Sequence, residues 1–312
     1  MLILLSGGCK NGKSSNAQAI VCNLAKKAGV APIYFATMIP HDSEDDERIQ
    51  KHRDERKNLG FETIECGKNV GEAAKKLGQG SVVLFDSLTA LVANEMFDGR
   101  TNFDTLFGEE KKIIQKLCSD LSLLTEKASS VVFVSDGIFC DGIVYDKMTE
   151  LYRRILAKTE NFIAKKCDKV IEMVSKISNE MSSMEFKNDS ALIIGGAYQG
   201  KTAWAKANFS LSDEDIFVCT QEELPDFSKP CISHYENYVA YCLKNGISPK
   251  TDLLKSKDRK LIICDDIFCG VVPIDSFQRK LREETGIALQ KIASTENTSV
   301  IRVFCGIGQK IQ

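Results

Sequence analysis

Met1-Leu-Ile-Leu-Leu-Ser-Gly-Gly-Cys-Lys-Asn-Gly-Lys-Ser14 opens the chain, an apolar run that passes directly into Gly7-x4-Gly12-Lys13-Ser14. This is the pattern of a strand that turns through a glycine-rich loop into a helix whose N-terminus faces a phosphate chain. Gly7, Gly8 and Gly12 let the backbone fold tightly enough to aim several N–H groups inward. Lys13 brings a point charge for the β- and γ-phosphates, and Ser14 a hydroxyl for Mg²⁺. Residues 16–26 read as the helix that follows, so the stretch is a nucleoside triphosphate site.

The loop recurs. Ala191-Leu-Ile-Ile-Gly-Gly-Ala-Tyr-Gln-Gly-Lys-Thr202 again sets an apolar strand before Gly195, Gly196, Gly200, Lys201 and Thr202. A repeat with a period near the size of a domain makes two α/β domains the natural division of 312 residues. We place them at 1–178 and 191–312, joined by a polar, aperiodic linker over 179–190.

Composition narrows the partners. Lys plus Arg is 41 against 43 for Asp plus Glu, so no global positive field recruits nucleic acid. Small-molecule substrates are expected instead. The twelve cysteines are scattered, without Cys-x-x-Cys or a zinc-like histidine spacing, and read as thiols of a reducing cytoplasm. No apolar run approaches the length of a membrane span.

In the first half, Pro32-Ile-Tyr-Phe-Ala-Thr37 reads as a strand that ends where ligands sit in open parallel sheets, which makes Thr37 a candidate contact. In the charged stretch from His41 to Arg56, helical spacing puts Arg48, His52 and Arg56 on one face, with Arg53 beside them. Cations flanking an imidazole keep it neutral and nucleophilic, and the arginines suit a phosphate under attack. A solvated, salt-bridged surface helix is the alternative on residue chemistry alone. Ser81-Val-Val-Leu-Phe-Asp86 is an apolar strand whose terminal acid either joins the Mg²⁺ shell or caps the next helix; the metal role is preferred because the loop needs a metal partner. Strands alternate with helices through 168–174, which predicts a mainly parallel sheet flanked by helices.

Gly-Gly-x-x-x-Gly-Lys-Ser, Tyr-x-Ala-Thr, Glu-x-x-x-Arg-Ile-x-x-His-Arg-x-x-Arg and Asp-x-Leu-Thr-x-x-x-x-Asn stand in that order. Together they resemble the CobU type of cobalamin-biosynthesis enzyme, over residues 1 to 178. The resemblance implies a P-loop NTPase fold of the RecA-like kind, an adenosylcobinamide kinase, and a guanylyltransferase that works through a guanylylated histidine. By motif position that histidine is His52, with Arg48 and Arg53 beside it and Lys13 in the catalytic set. Glu65 joins Thr37 and Asp86 as a nucleotide contact, Ser14 and Asp86 hold Mg²⁺, and GTP, ATP and adenosylcobinamide are the substrates. The family's loop after the fifth strand is altered here, as Asp136-Gly-Ile-Phe-Cys-Asp-Gly-Ile-Val-Tyr145.

The second half reads as a shortened copy. Phe217-Val-Cys-Thr220 is aligned with Tyr34-Phe-Ala-Thr37, and Leu261-Ile-Ile-Cys-Asp265-Asp266 with the loop-bearing strand. No Arg-Ile-x-x-His helix and no apolar strand ending in aspartate is seen between Thr220 and Leu261. His234 reads as a structural or surface residue on an amphipathic helix. Such a copy binds nucleotide through Lys201 and Thr202, or completes the first site by pairing within the chain in place of a homo-oligomer. Two competing expectations remain: one activity of the two retained, or a nucleotide-binding regulator without turnover. The Arg48, His52, Arg53 and Arg56 set speaks against the regulator.

Overall fold

The computed structural model describes the chain except residues 9–10, 41–48, 51–52, 55, 98–102, 144, 175–176, 182–189, 256–258, 270–271 and 312. Contacts divide it into two units, Met1–Ile138 with Tyr145–Glu180, and Phe139–Val144 with Met181–Gln312.

The first unit is built on a seven-stranded sheet. Its elements are β1 (Leu2–Gly7), α1 (Lys13–Ala28), β2 (Pro32–Ala36), β3 (Glu62–Glu65), α2 (Val70–Ala74) and β4 (Val82–Asp86), then α3 (Leu88–Met96), α4 (Phe103–Lys127), β5 (Ser130–Asp136), α5 (Lys147–Ala164), β6 (Lys169–Val174) and β7 (Ile177–Met181). The strand order is β3-β2-β4-β5-β1-β6-β7, and the pairings from β3 through β6 are parallel. Central strands covered on both faces read as unbroken apolar runs, and Leu4, Leu5, Val83, Leu84, Phe85, Val131, Val132 and Phe133 are all fully buried. Phe85 packs between Phe35 and Phe133 at ring-centroid distances of 5.3 and 5.5 Å. Truncating such a residue to alanine costs about 3–5 kcal/mol.

One detail differs from the sequence expectation, and one alternative it left open is excluded. Strand β7 runs into the stretch read as linker, and its polar residues Ser178, Asn179 and Glu180 are exposed at the sheet edge, where charge and polarity guard against stray pairing. Asp86 does not cap α3; the neighbouring Ser87 does, accepting from Ala90 N at 3.2 Å. The remaining motif residues act as stitches. Thr37 is buried, its Oγ1 donates to Ser87 O at 2.8 Å and accepts from Ser87 N at 2.7 Å, and Asn94 Nδ2 donates to Thr37 O and Gly67 O.

The second unit has a six-stranded sheet of β8 (Ala191–Gly195), β9 (Ile216–Val218), β10 (Cys231–Ser233), β11 (Leu261–Asp265), β12 (Ser299–Phe304) and β13 (Ile307–Lys310). Its helices are α6 (Lys201–Phe209), α7 (Tyr235–Asn245) and α8 (Ser276–Ala293), with a 3₁₀ turn at Leu253–Lys255. The order is β13-β12-β8-β11-β10-β9, parallel except for the β12–β13 hairpin. From its hairpin edge inward its order matches β7-β6-β1-β5-β4-β2, with no counterpart of β3 among the described residues. Between Thr220 and Leu261 lies β10, short, preceded by Pro230 and ending in Ser233 rather than in an aspartate, too brief to announce itself by periodicity. Cys219, not Thr220, takes the place of Thr37, since Cys219 N donates to Ser233 O at 2.8 Å as Thr37 N does to Asp86 O at 3.1 Å. The sequence alignment was therefore one residue out of register.

The altered loop is divided between the units. Asp136 ends β5, whereas Phe139 to Val144 belong to the second unit, where Phe139 O accepts from Ala197 N at 2.8 Å and Cys140 O from Cys269 N at 2.9 Å.

Candidate nucleotide sites

The first cradle is assembled at the carboxyl end of β1. A Cβ on Gly7 would lie 2.4 Å from Met173 O on β6, so only glycine fits there. Gly12 turns the chain into α1 with φ 82°, a conformation that glycine adopts without penalty. Asn11 Nδ2 donates to Met173 O at 3.0 Å and ties the loop to β6. Lys13 is 7% exposed, and its Nζ donates to Gly8 O at 2.7 Å and to Asp136 Oδ1 at 2.9 Å. Parallel pairing sets Asp136 opposite Gly7, and Thr89 Oγ1 holds the Asp136 N–H at 2.9 Å. Asp136 was missed as a cradle residue because only β1–β5 pairing brings it to Lys13. Ser14, on the first turn of α1, is half-buried.

Beyond β5, at the ends of β4, β2 and β3, is a cavity of about 470 Å³, lined among others by Tyr34, Met38, Arg53, Arg56, Glu65 and Asp86. Tyr34 Oη donates to Asp86 Oδ2 at 2.9 Å, and the Arg56 guanidinium lies 3.3 Å above the Tyr34 ring. Burial, then the nearby Asp86 charge, pushes the Tyr34 hydroxyl well above its usual range, so it stays a proton donor. Arg53 pairs with Glu65. Arg56 is buried, and its Nη1 has no hydrogen-bond partner among the described residues. A buried guanidinium nitrogen with an unmet donor is costly by itself and suits a ligand acceptor. His52 and Arg48 lie outside the described residues; the helical turns at 49–50, 53–54 and 56 bracket His52 in the chain.

The second cradle has the same parts. Lys201 is 6% exposed, and its Nζ donates to Gly196 O at 2.6 Å and pairs with Asp265 Oδ1 at 2.6 Å. A Cβ on Gly195 would meet Val303 O at 2.3 Å, and pairing sets Gly195 opposite Asp265. Gly200 has φ 86°, and Thr202 follows Lys201 on the first turn of α6.

Here the neighbouring strand end differs. By register Ser233 stands where Asp86 stands in the first unit, and His234 where Ser87 stands. His234, expected on an amphipathic helix, lies just outside it. It precedes α7 in the left-handed conformation (φ 55°, ψ 50°), and its Nδ1 shares a 2.8 Å hydrogen bond with Glu236 Oε1. Glu236 is buried and accepts from Asp265 N through Oε2 at 2.9 Å, the service that Thr89 performs for Asp136. The Glu236 bond raises the His234 imidazole above its usual value despite burial. Burial would lift the Glu236 carboxyl, but the His234 hydrogen bond and charge outweigh it and hold the carboxyl low.

Residues 3–181 match the model of the family described as "Cobinamide kinase / cobinamide phosphate guanyltransferase". Two curated proteins, both named "Bifunctional adenosylcobalamin biosynthesis protein CobU", are similar. That of Salmonella typhimurium is 25% identical over 184 residues, covering 57% of this chain and 97% of that protein. That of Escherichia coli is 24% identical over 182 residues, with the same shares. Among solved structures, the KaiC-like protein PH0186 of Pyrococcus horikoshii OT3 shares 17% identity at a TM-score of 0.31, over 58% of this chain and 74% of that one. The ATPase domain of G40P shares 13% at 0.31, over 55% and 68%. No helix among the described residues is long and apolar enough to cross a membrane.

Proposed function

The chain belongs to the cobinamide kinase / cobinamide phosphate guanyltransferase family, and from that premise we propose that its first unit phosphorylates adenosylcobinamide and then transfers GMP from GTP to the phosphate formed. The observation that carries this is the cavity walled by Arg53, Arg56, Glu65 and Asp86, whose lining residues Gln50 and Arg53 flank His52 in the chain. Lys13, with Gly7, Gly8 and Gly12, holds the β- and γ-phosphates, as its buried position at the head of α1 suits it to do. An imidazole nitrogen of His52 attacks the α-phosphorus of GTP, the bond to the β-phosphate oxygen breaks, and pyrophosphate leaves. Arg48 and Arg53 neutralise the phosphate under attack. A phosphate oxygen of adenosylcobinamide phosphate then displaces the histidine, giving adenosyl-GDP-cobinamide. The cavity receives the guanosine moiety, with Glu65 and Asp86 as acceptors and Arg56 as donor; Thr37 fixes the strand ends around it.

The hydroxyl of Ser14 and the carboxylate of Asp86, both residues half-buried, would supply oxygen ligands of the kind a hard cation takes. Mg²⁺ bound there would neutralise charge on the phosphate oxygens. ATP or GTP serves as phosphate donor.

We read the second unit as a shortened tandem copy of the first. The shared strand order, the paired glycine contacts with Met173 O and Val303 O, and the matching lysine–acid bridges support that reading. Cysteines present as free thiols, Cys264 and Cys305 among them, support a reducing compartment such as the cytoplasm. One specific observation favours a second reading, a single surviving activity: residues 139–144, from the loop where the chain departs from the family's pattern, belong to the second unit.

The test is incubation with GTP labelled at the α-phosphate, Mg²⁺ and pyrophosphatase, then denaturation. Acid-labile label on the protein that is lost in His52→Ala is expected. An unlabelled protein, with cobinamide phosphate present, would remove the transferase half of the proposal. Transfer of γ-label to adenosylcobinamide tests the kinase half separately.

A further inference from the structure

The second cradle is not explained by chemistry in the first unit, and its surroundings are specialised. Lys201 is buried, and among the described residues its amine is shared between a loop carbonyl and Asp265, the arrangement in which Lys13 stands at the first loop. Ala197 N–H is committed to Phe139 O, which leaves the N–H groups at the start of α6 to face an anion. Within the loop, Gln199 is 2% exposed; its Oε1 is fixed by Cys305 N, and its Nε2 is a buried donor with no partner among the described residues.

At the strand end beside this loop, the acid of the first unit is absent and an imidazole takes the next position. Three features commit His234 to that place. Its backbone adopts a left-handed conformation that a non-glycine residue rarely takes. Its Nδ1 is held by Glu236, a carboxylate 8% exposed whose other oxygen is bound by Asp265 N–H. The ligating atoms of His234, Glu236 and Asp265 all lie within 4.8 Å of one another, so the imidazole borders the Lys201–Asp265 bridge. With Nδ1 engaged, Nε2 is the remaining donor or acceptor of the ring. Such a trio can suggest a cation site, but Lys201 Nζ stands against Asp265 and repels a second positive charge there. Lysine, imidazole, a helix N-terminus and an unmet amide donor suit an anion.

We propose that the second unit binds a diphosphate or triphosphate chain, with Lys201 and the α6 N-terminus gripping it and His234, braced by Glu236, adding a contact through Nε2. The chain belongs either to a nucleoside triphosphate or to inorganic pyrophosphate, which share this chemistry. The proposal is independent of guanylyl transfer in the first unit, because it is read with the first loop disabled.

The full chain carrying Lys13→Ala is titrated by equilibrium dialysis with non-hydrolysable analogues of GTP and ATP and, separately, with labelled pyrophosphate. One equivalent should bind, and none after Lys201→Ala is added. Adding His234→Gln instead should weaken binding about tenfold or more, as expected for loss of a hydrogen bond to a charged group. An analogue that binds more tightly than pyrophosphate identifies a nucleotide; the converse identifies the inorganic ion. No binding to the Lys13→Ala chain, or equal affinity with and without His234, would overturn the proposal. A second measurement needs no variant at position 234: pyrophosphate should slow diethylpyrocarbonate modification of His234 in the Lys13→Ala chain, read by peptide mass spectrometry. An unchanged rate would count against the contact.

Discussion

Replacing Arg56 by methionine separates a stabilising role from a binding role. The guanidinium lies 3.3 Å from the Tyr34 ring centroid in a buried setting, where a cation–π contact contributes about 2 kcal/mol. Against this stands Nη1, buried without a partner among the described residues, a deficit of about 1–3 kcal/mol. The two nearly cancel, and methionine keeps apolar contact with the ring. Arg56→Met should therefore move the unfolding midpoint by no more than roughly 2–4 °C, the shift of about 1 kcal/mol in a unit of this size. Binding should respond differently. If a ligand acceptor meets Nη1 in the cavity, the bond is charge-assisted and its loss costs about 1.5–3 kcal/mol, which is about 10- to 150-fold in affinity. Isothermal titration with a non-hydrolysable GTP analogue, run in the Lys201→Ala background so that only the first unit contributes, measures it directly. Unchanged affinity in Arg56→Met would refute the assignment of the cavity to the nucleotide. A collapse of the midpoint by ten degrees or more would show that the stacking energy had been misjudged.

Three further outcomes are expected. Gly7→Ala forces a methyl to within 2.4 Å of Met173 O; overpacking of this kind costs about 1–3 kcal/mol, and the displaced loop should lose nucleotide binding while a Gly78→Ala control, whose Cβ meets nothing within 4 Å, retains it. Asp136→Asn removes the charge bridged to Lys13 at 2.9 Å, so turnover should fall at least tenfold, with the unfolding midpoint nearly kept because Asp136 is about a third exposed; a fully active variant would show the bridge to be incidental. For the second unit, the pH dependence has a definite sign. His234 is raised, so its contribution is complete below the ordinary 6.5 and is lost as pH rises through the elevated folded value. Glu236 is lowered, so its contribution is complete above 4.5 and is lost as pH falls through the depressed folded value. The pair thus stabilises most between pH 4.5 and 6.5, and thermal unfolding followed through Trp204, the one tryptophan of the chain, should show a decline above that window that His234→Gln removes.

Both glycine-rich loops were legible in the sequence because their requirements are contiguous. Backbone approach at Gly7 and Gly195, left-handed turns at Gly12 and Gly200, and a lysine aimed into the loop fall within eight residues in each case. The central strands were legible for a similar reason, since burial on both faces demands an unbroken apolar run. What depends on pairing was hidden. Asp136 reaches Lys13 only because β5 lies beside β1 in register, and nothing within Ser130–Asp136 marks its final residue as more than a strand end. Strand β10 contributes only Cys231, Ile232 and Ser233, below the length at which alternation means anything. His234 followed from that omission, for without the strand its neighbours Tyr235 to Leu243 made it look like part of a helix.

The two cradles share what grips phosphate and differ in what stands beside it. In each, a buried lysine bridges a glycine carbonyl and the acid ending the adjacent strand, and that acid's N–H is held by a side chain from the helix after the next strand: Thr89 in one, Glu236 in the other. Threonine offers a neutral hydroxyl. Glutamate brings a negative charge that a buried site tolerates only when paired, and His234 is the partner, two residues earlier in the chain. Position 236 therefore constrains position 234, which explains why an imidazole is kept in a strained backbone where the first unit has an ordinary helix cap. Substituting Glu236 alone by threonine would test the linkage: the imidazole loses its brace and should return toward its ordinary titration range, seen by histidine NMR. An imidazole that still titrates above that range would mean that Asp265, not Glu236, governs it.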